Sequence, residues 1–245
     1  MGKCLAGITA VILVCAVAFG RAEAFAYGDD AFIYGTYIRH DRVPTSANTP
    51  ADPLPFYDVS VYHWYYNAVV WAFEKGLMNG LSEHAFAPEA DMTRAMLVTI
   101  LWRYAGEPAA RASAFVDVQS GRWYSAAVAW AARNGIVTGI SATEFSPHSW
   151  VTREQMYTIL YRYMNFAGLT IVIEDTETQL LQFADEDEIS DWALDAMYFM
   201  FDAGVMFRFG TLDMYARPGE NAFRGEIAAA MYFFDRYSEP LSIVQ

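Results

Sequence analysis

The chain says the same thing three times. A segment opening FYDV at Phe56 returns as FVDV at Phe115 and, more loosely, as FADE at Phe183. Asp58 and Asp117 stand 59 residues apart, as do Arg94 and Arg153, so the first two copies align without a gap. Asp185 to Arg224 spans 39 residues where the other copies span 36, so the third copy carries three extra. Repetition at a fixed period marks a repeat architecture. A unit of about 55 residues buries too little surface to be secure alone, so the copies must share a core.

Each copy reads as two helices. In the first, Trp64, Ala68, Trp71, Ala72 and then Gly76 recur as Trp123, Ala127, Trp130, Ala131 and Gly135, and as Trp192, Ala196, Phe199, Met200 and Gly204. Steps of four, three and one keep these side chains on one stripe, and the glycine supplies a left-handed helix end. A second glycine, Gly80 or Gly139, helps turn the chain into a loop holding Pro88 or Pro147; unit three has Arg208 there.

The second helix begins at Thr93, Thr152 or Phe223, each followed by an arginine. From that arginine, apolar groups fall at steps three, six, seven and ten: Leu97, Ile100, Leu101, Tyr104; Met156, Ile159, Leu160, Tyr163; Ile227, Ala230, Met231, Phe234. This narrow seam is the mark of helices packed on one another. The expected fold is all-α, with three seam helices in one threefold-like core.

The flanks are of other kinds. Residues 1–26 read as a signal peptide: Lys3, an apolar run from Leu5 to Phe19, and small residues around a cut after Ala24 or Ala26. A retained N-terminal anchor is the alternative. Residues 27–54 read as a leader and linker, ending in a proline-rich stretch, with the state of Ala31–Arg39 open. The repeats then occupy 55–113, 114–174 and 175–240, with a tail at 241–245. Both cysteines, Cys4 and Cys15, lie in the signal. Without Lys3, Arg21 and Glu23 the 16 basic and 29 acidic side chains fall to 14 and 28, a charge of −14. That balance argues against a nucleic-acid partner, which needs a basic face.

Arg94, Arg153 and Arg224 sit at the first helical position, where the helix dipole and unpaired N–H groups disfavour a cation. Two readings follow. A forked guanidinium beside backbone donors suits a carboxylate or phosphate ligand, or each arginine pairs with one of the 28 acidic groups. Thr152 and Gln155 form a capping box, Met96 removes its counterpart in unit one, Phe223 cannot cap, and Gly225 weakens the first turn of the third copy. Trp64, Trp123 and Trp192 read chiefly as packing, with an edge that could line a sugar site.

The FxDV…W…A…G…G…F.P…TR pattern closely resembles the S-layer homology domain. It is carried by Phe56, Asp58, Trp64, Gly76, Gly80, Phe86, Pro88, Thr93 and Arg94, and again by Phe115, Asp117, Trp123, Gly135, Gly139, Phe145, Pro147, Thr152 and Arg153. The resemblance covers residues 56 to about 237 and is looser in unit three. It implies a three-pronged spindle of three repeats around a central three-helix bundle. It further implies non-covalent anchoring to the bacterial cell wall through acidic, pyruvylated secondary wall polysaccharide bound in grooves between repeats. The implied sugar and carboxylate contacts are Arg94, Arg153, Arg224, Trp64, Trp123, Trp192, Gly80, Gly139, Thr93 and Thr152. With TRAM, TREQ and FRGE in place of Thr-Arg-Ala-Glu, units one and two are expected to keep working grooves while Arg224 is partly structural.

Other classes fit less well. His40, His63, His84 and His148 lack metal-ligand spacing, and Asp185–Glu188 lacks the glycine and distal glutamate of a calcium loop. That run reads instead as negative charge at a helix start. No nucleophile elbow, phosphate loop or dinucleotide fingerprint is present, so no catalysis, cofactor or metal is expected. The expected location is the wall or cell surface, with no membrane contact after signal cleavage. The rival function is an exported scaffold that binds another surface protein in place of a glycan. Because the chain is anionic, wall binding should rest on short-range grooves and depend weakly on salt.

Overall fold

Why the helices start and stop where they do is visible in the caps. A computed structural model describes residues 53–171, 183–206 and 215–240, with two short strands near the N-terminus, β1 (Phe32–Ile33) and β2 (Thr36–Tyr37), paired antiparallel. Those strands place a hairpin in the stretch left open above. The signal segment, the rest of the leader and the region around Arg208 lie outside the described residues.

Six α-helices occur among the described residues, two per unit: α1 (Tyr66–Glu74) and α2 (Arg94–Tyr104), α3 (Ser125–Arg133) and α4 (Arg153–Ala167), α5 (Leu194–Asp202) and α6 (Arg224–Tyr237). A short antiparallel pair, β3 (Leu169–Ile171) with β4 (Ser238–Pro240), extends α4 and α6. The chain is all-α in class, as its periodicity requires.

Each second helix starts on its arginine. The hydroxyl oxygens of Thr93 and Thr152 accept from the backbone N–H groups of Met96 and Gln155, at 3.2 and 3.4 Å. Phe223 makes no such bond. Each first helix ends one residue before a left-handed glycine, at φ +68° for Gly76, +70° for Gly135 and +71° for Gly204, a conformation that costs other residues about 1–2 kcal/mol. The second glycine acts by size: a Cβ at Gly80 would collide with the carbonyls of Ser82 and Ala85 and the Phe56 ring. At Gly139 it would meet those of Ser141 and Glu144 and the Phe115 ring. One placement differs from the sequence reading. Trp64, Trp123 and Trp192 precede the first helices in a turn, so they do not belong to the buried stripe.

The helices pack in a cycle. α2 lies on α3, α4 on α5, and α6 returns to α1, so every second helix docks on the first helix of the next unit. The seam residues Leu97, Leu101, Met156, Leu160, Ile227 and Met231 are fully buried. Backbone bonds close one end of the core in a ring: Met92 donates to Ala222, Ala222 to Val151, and Val151 to Met92, at 2.9–3.0 Å. Rings of Tyr104, Tyr163 and Phe234, all at step ten, close the other end with centroids 5.7–6.0 Å apart. Where unit three meets unit one, Asp235 accepts from the Trp71 indole at 3.0 Å and the Tyr104 hydroxyl at 2.8 Å, with Lys75 beside it. Burial and this bond to a carboxylate push the Tyr104 ionisation well above the ordinary tyrosine range.

Candidate functional site

The sites follow from the cyclic packing, because each arginine reaches into the loop of the unit that follows it. Arg94 Nε donates to the Phe145 carbonyl at 3.0 Å, its Nη2 to the Thr138 carbonyl at 3.1 Å, and its Nη1 to Gln155 Oε1 at 3.1 Å. Arg153 Nε donates to the Ala216 carbonyl at 2.9 Å, and its Nη1 forms an ion pair with Glu226. Arg224 closes the circle on unit one, Nε to the Phe86 carbonyl at 2.8 Å and Nη2 to the Asn79 carbonyl at 2.6 Å. The three side chains are only 4–6% exposed.

The loops that receive them are held by the repeat's aspartate. Asp58 accepts from the N–H groups of Phe86 and Ala87, at 2.9 and 2.7 Å. Asp117 accepts from Phe145 and Ser146, at 2.9 and 2.6 Å, and Asp185 from Ala216 and Arg217, both at 2.7 Å. A single peptide-bearing residue therefore binds an aspartate through its N–H and an arginine through its C=O. The next residue, Ala87, Ser146 or Arg217, has φ between +48° and +60°, a left-handed state that the clamp holds. Asp185 thus has a loop-holding role that its acidic neighbourhood concealed. Among those neighbours, Glu186 to Glu188 form a single 3₁₀ turn.

Three sequence readings change here. The backbone donors at the helix starts are not free. Arg94 and Ala95 donate to Ser149 and Pro147, Arg153 and Glu154 to Glu220 and Pro218, Arg224 and Gly225 to Ala90 and Pro88. The neighbouring unit's carbonyls thereby also offset a cation at the positive end of the dipole. Second, the Gln155 side chain does not return to complete its capping box; it serves Arg94. Third, Gly225 has a packing role: a Cβ there would lie 3.1 Å from the Tyr65 ring and 3.2 Å from the Pro88 carbonyl.

The tryptophans are more open than a packing role requires. Trp123 is 56% exposed and Trp192 52%. Trp64 is half-buried and meets Phe223 edge to face at 6.4 Å, so the side chain that replaced a capping threonine partly covers it. Trp150, which the repeat pattern does not include, is also exposed, and its backbone bridges Thr93. A shallow cleft beside Trp64 is lined by Asp58, His63, Tyr65 and residues 87–90. Burial, then the charges of Glu89 and Asp58, raise the Tyr65 ionisation.

Electrostatics distinguish the junctions. Arg94 and Arg224 each stack on a phenylalanine of the loop they enter, 4.6 Å from the Phe145 centroid and 4.5 Å from that of Phe86. Burial lowers both ionisations, that of Arg224 to about 10, while Asp117 and Asp58 oppose the shift. Arg153 meets Ala216 instead of a phenylalanine, and there Glu226 supplies a carboxylate. Sequence reasoning used the three aspartates only as landmarks, although their invariance ahead of each loop was a usable signal. Asp235 gave none, since units one and two have Ala105 and Met164 at its place. Among the described residues no cluster of three His, Cys, Asp or Glu could hold a metal, and no helix is long and apolar enough to cross a membrane.

Comparison with known proteins agrees with the repeat. Residues 55–95 and 114–156 match the S-layer homology domain. An endoglucanase of Bacillus sp. (strain KSM-635) is 28% identical over 75% of this chain and 19% of its own length. The surface-layer 125 kDa protein of Lysinibacillus sphaericus is 30% identical over 57% of this chain and 11% of its own. The S-layer protein sap of Bacillus anthracis is 28% identical over 43% and 13%. The chain thus spans about a tenth to a fifth of the length of these relatives.

Proposed function

We propose, starting from a chain whose residues 55–95 and 114–156 are S-layer homology domains, that it attaches non-covalently to the bacterial cell wall by binding wall polysaccharide in the grooves between units. The match to a surface-anchoring domain family in two separate copies carries this reading. Relatives named as surface-layer proteins support a place at the cell surface. The polymer we propose is acidic and pyruvylated, and the sugar ring stacks on Trp123 and Trp192, whose exposed faces suit an apolar sugar face.

In this reading Arg94, Arg153, Thr93, Thr152, Gly80 and Gly139 shape the grooves. They orient loop carbonyls and keep neighbouring units in register, and their internal hydrogen bonds and tight packing support that role. Binding should then depend weakly on salt, because a chain of net charge −13 gains nothing from long-range attraction to an anionic polymer.

Sedimentation with purified wall sacculi tests the reading, before and after mild acid removes pyruvate ketals. The expected result is co-sedimentation that falls on depyruvylation and falls at least ten-fold in a Trp123→Ala, Trp192→Ala double variant. Absence of sedimentation with native sacculi would leave a scaffold that binds another surface protein.

A further inference from the structure

The three junctions are built alike and differ at one atom. Two residues beyond each arginine, the next unit supplies a side chain to the guanidinium: Gln155 for Arg94 and Glu226 for Arg153. By the same cyclic order the partner of Arg224 is residue 96. It is Met96, a half-buried thioether that is at best a weak acceptor. Arg224 is 94% buried, its Nε and Nη2 are bonded to carbonyls, and among the described residues its Nη1 has no hydrogen-bond partner. Asp58, the nearest charge acting on it, has both oxygens engaged by the N–H groups of Phe86 and Ala87.

We propose that the junction of unit three with unit one is the chain's anion site, with Met96 as its specificity-determining residue. A single carboxylate, such as that of a pyruvate ketal, accepts from Arg224 Nη1 at the place where Gln155 and Glu226 stand in the other two junctions. The inference rests on the wall-binding reading for the source of that carboxylate, and it reverses the expectation that Arg224 is the least functional arginine. Arg153 has its carboxylate built in, and Arg94 has a neutral acceptor in place, so neither offers an equal vacancy. A flexible methionine can move aside for a ligand without leaving a polar group unsatisfied when the ligand departs.

The test uses the full chain and sodium pyruvate as probe, followed through the arginine Nε–H signals in ¹⁵N–¹H spectra. Pyruvate should shift the Arg224 signal saturably at millimolar concentration and leave those of Arg94 and Arg153 in place. Met96→Glu fills the site from within and should weaken pyruvate binding at least ten-fold while raising the thermal midpoint. Met96→Gln, which copies unit two, is the second variant should the charged one fail to fold, with the same direction expected. An unmoved Arg224 signal, an equal shift at Arg94, or unchanged pyruvate affinity in the folded residue-96 variant would overturn the proposal. Sacculus sedimentation separates the two readings. Wild type that binds sacculi with an unmoved Arg224 signal removes the anion site and keeps anchoring. A pyruvate response in a chain that ignores sacculi does the reverse.

Discussion

Replacing Asp117 by asparagine should cost far more than a surface charge. The wild-type carboxylate accepts from Phe145 N–H at 2.9 Å and Ser146 N–H at 2.6 Å. An asparagine oxygen can serve one of these donors, and its amide N–H₂ then faces the other. A buried donor left without an acceptor costs about 1–3 kcal/mol, and the remaining bond loses its charge assistance, about another 1 kcal/mol. The left-handed Ser146, at φ +60°, loses part of what holds it. A total near 3 kcal/mol is expected, which for a folded region of this size is about 6–12 °C in thermal midpoint.

The same peptide offers Arg94 its carbonyl, so the two side chains should be coupled. In a cycle of Asp117→Asn, Arg94→Gln and the double variant, followed by circular dichroism in heat and urea, the coupling should be about 1 kcal/mol. A single-variant loss below about 1 kcal/mol, or additivity within about 0.3 kcal/mol, would refute the clamp.

Three other outcomes follow from the same geometry. Glu226→Met strands the buried Arg153 cation and should cost about 3–5 kcal/mol, whereas Glu226→Gln keeps an acceptor as Gln155 does and should cost clearly less; equal losses in urea melts would argue against the pairing. Gly139→Ala should unfold the loop or lower the midpoint by more than about 6 °C, because the new methyl meets backbone carbonyls, and a midpoint within about 2 °C of wild type would count against that packing. Tyr198, raised to about 12 by burial and then by its bond to Glu186, keeps its proton in the folded chain where the unfolded chain loses it. Its contribution is therefore full below pH 10 and fades as pH rises from about 10 to about 12, so Tyr198→Phe should flatten the fall of the urea midpoint across that window.

Much of the architecture was legible because it is local. Helix starts follow from Thr93 and Thr152, ends from Gly76, Gly135 and Gly204, and the buried seam from steps of three and four. The tryptophans were harder: Trp123 and Trp192 share spacing with the buried stripe, yet the helices begin two residues later and leave both rings open. A periodic pattern registers which residues recur; it does not register where the helix that would carry them begins.

The sequence by itself determined three copies of a two-helix unit that cannot stand singly, since about 55 residues bury too little apolar surface. Only the tertiary structure decided what the arginines do. Each one's partners lie 44 to 145 residues away, in the next unit around the cycle, and the last junction joins the end of the repeat region to its beginning. A pairing of that kind is set by closure of the ring, which no local propensity encodes. For the same reason Met96 reads in the sequence as a lost cap and in the fold as the missing partner of Arg224.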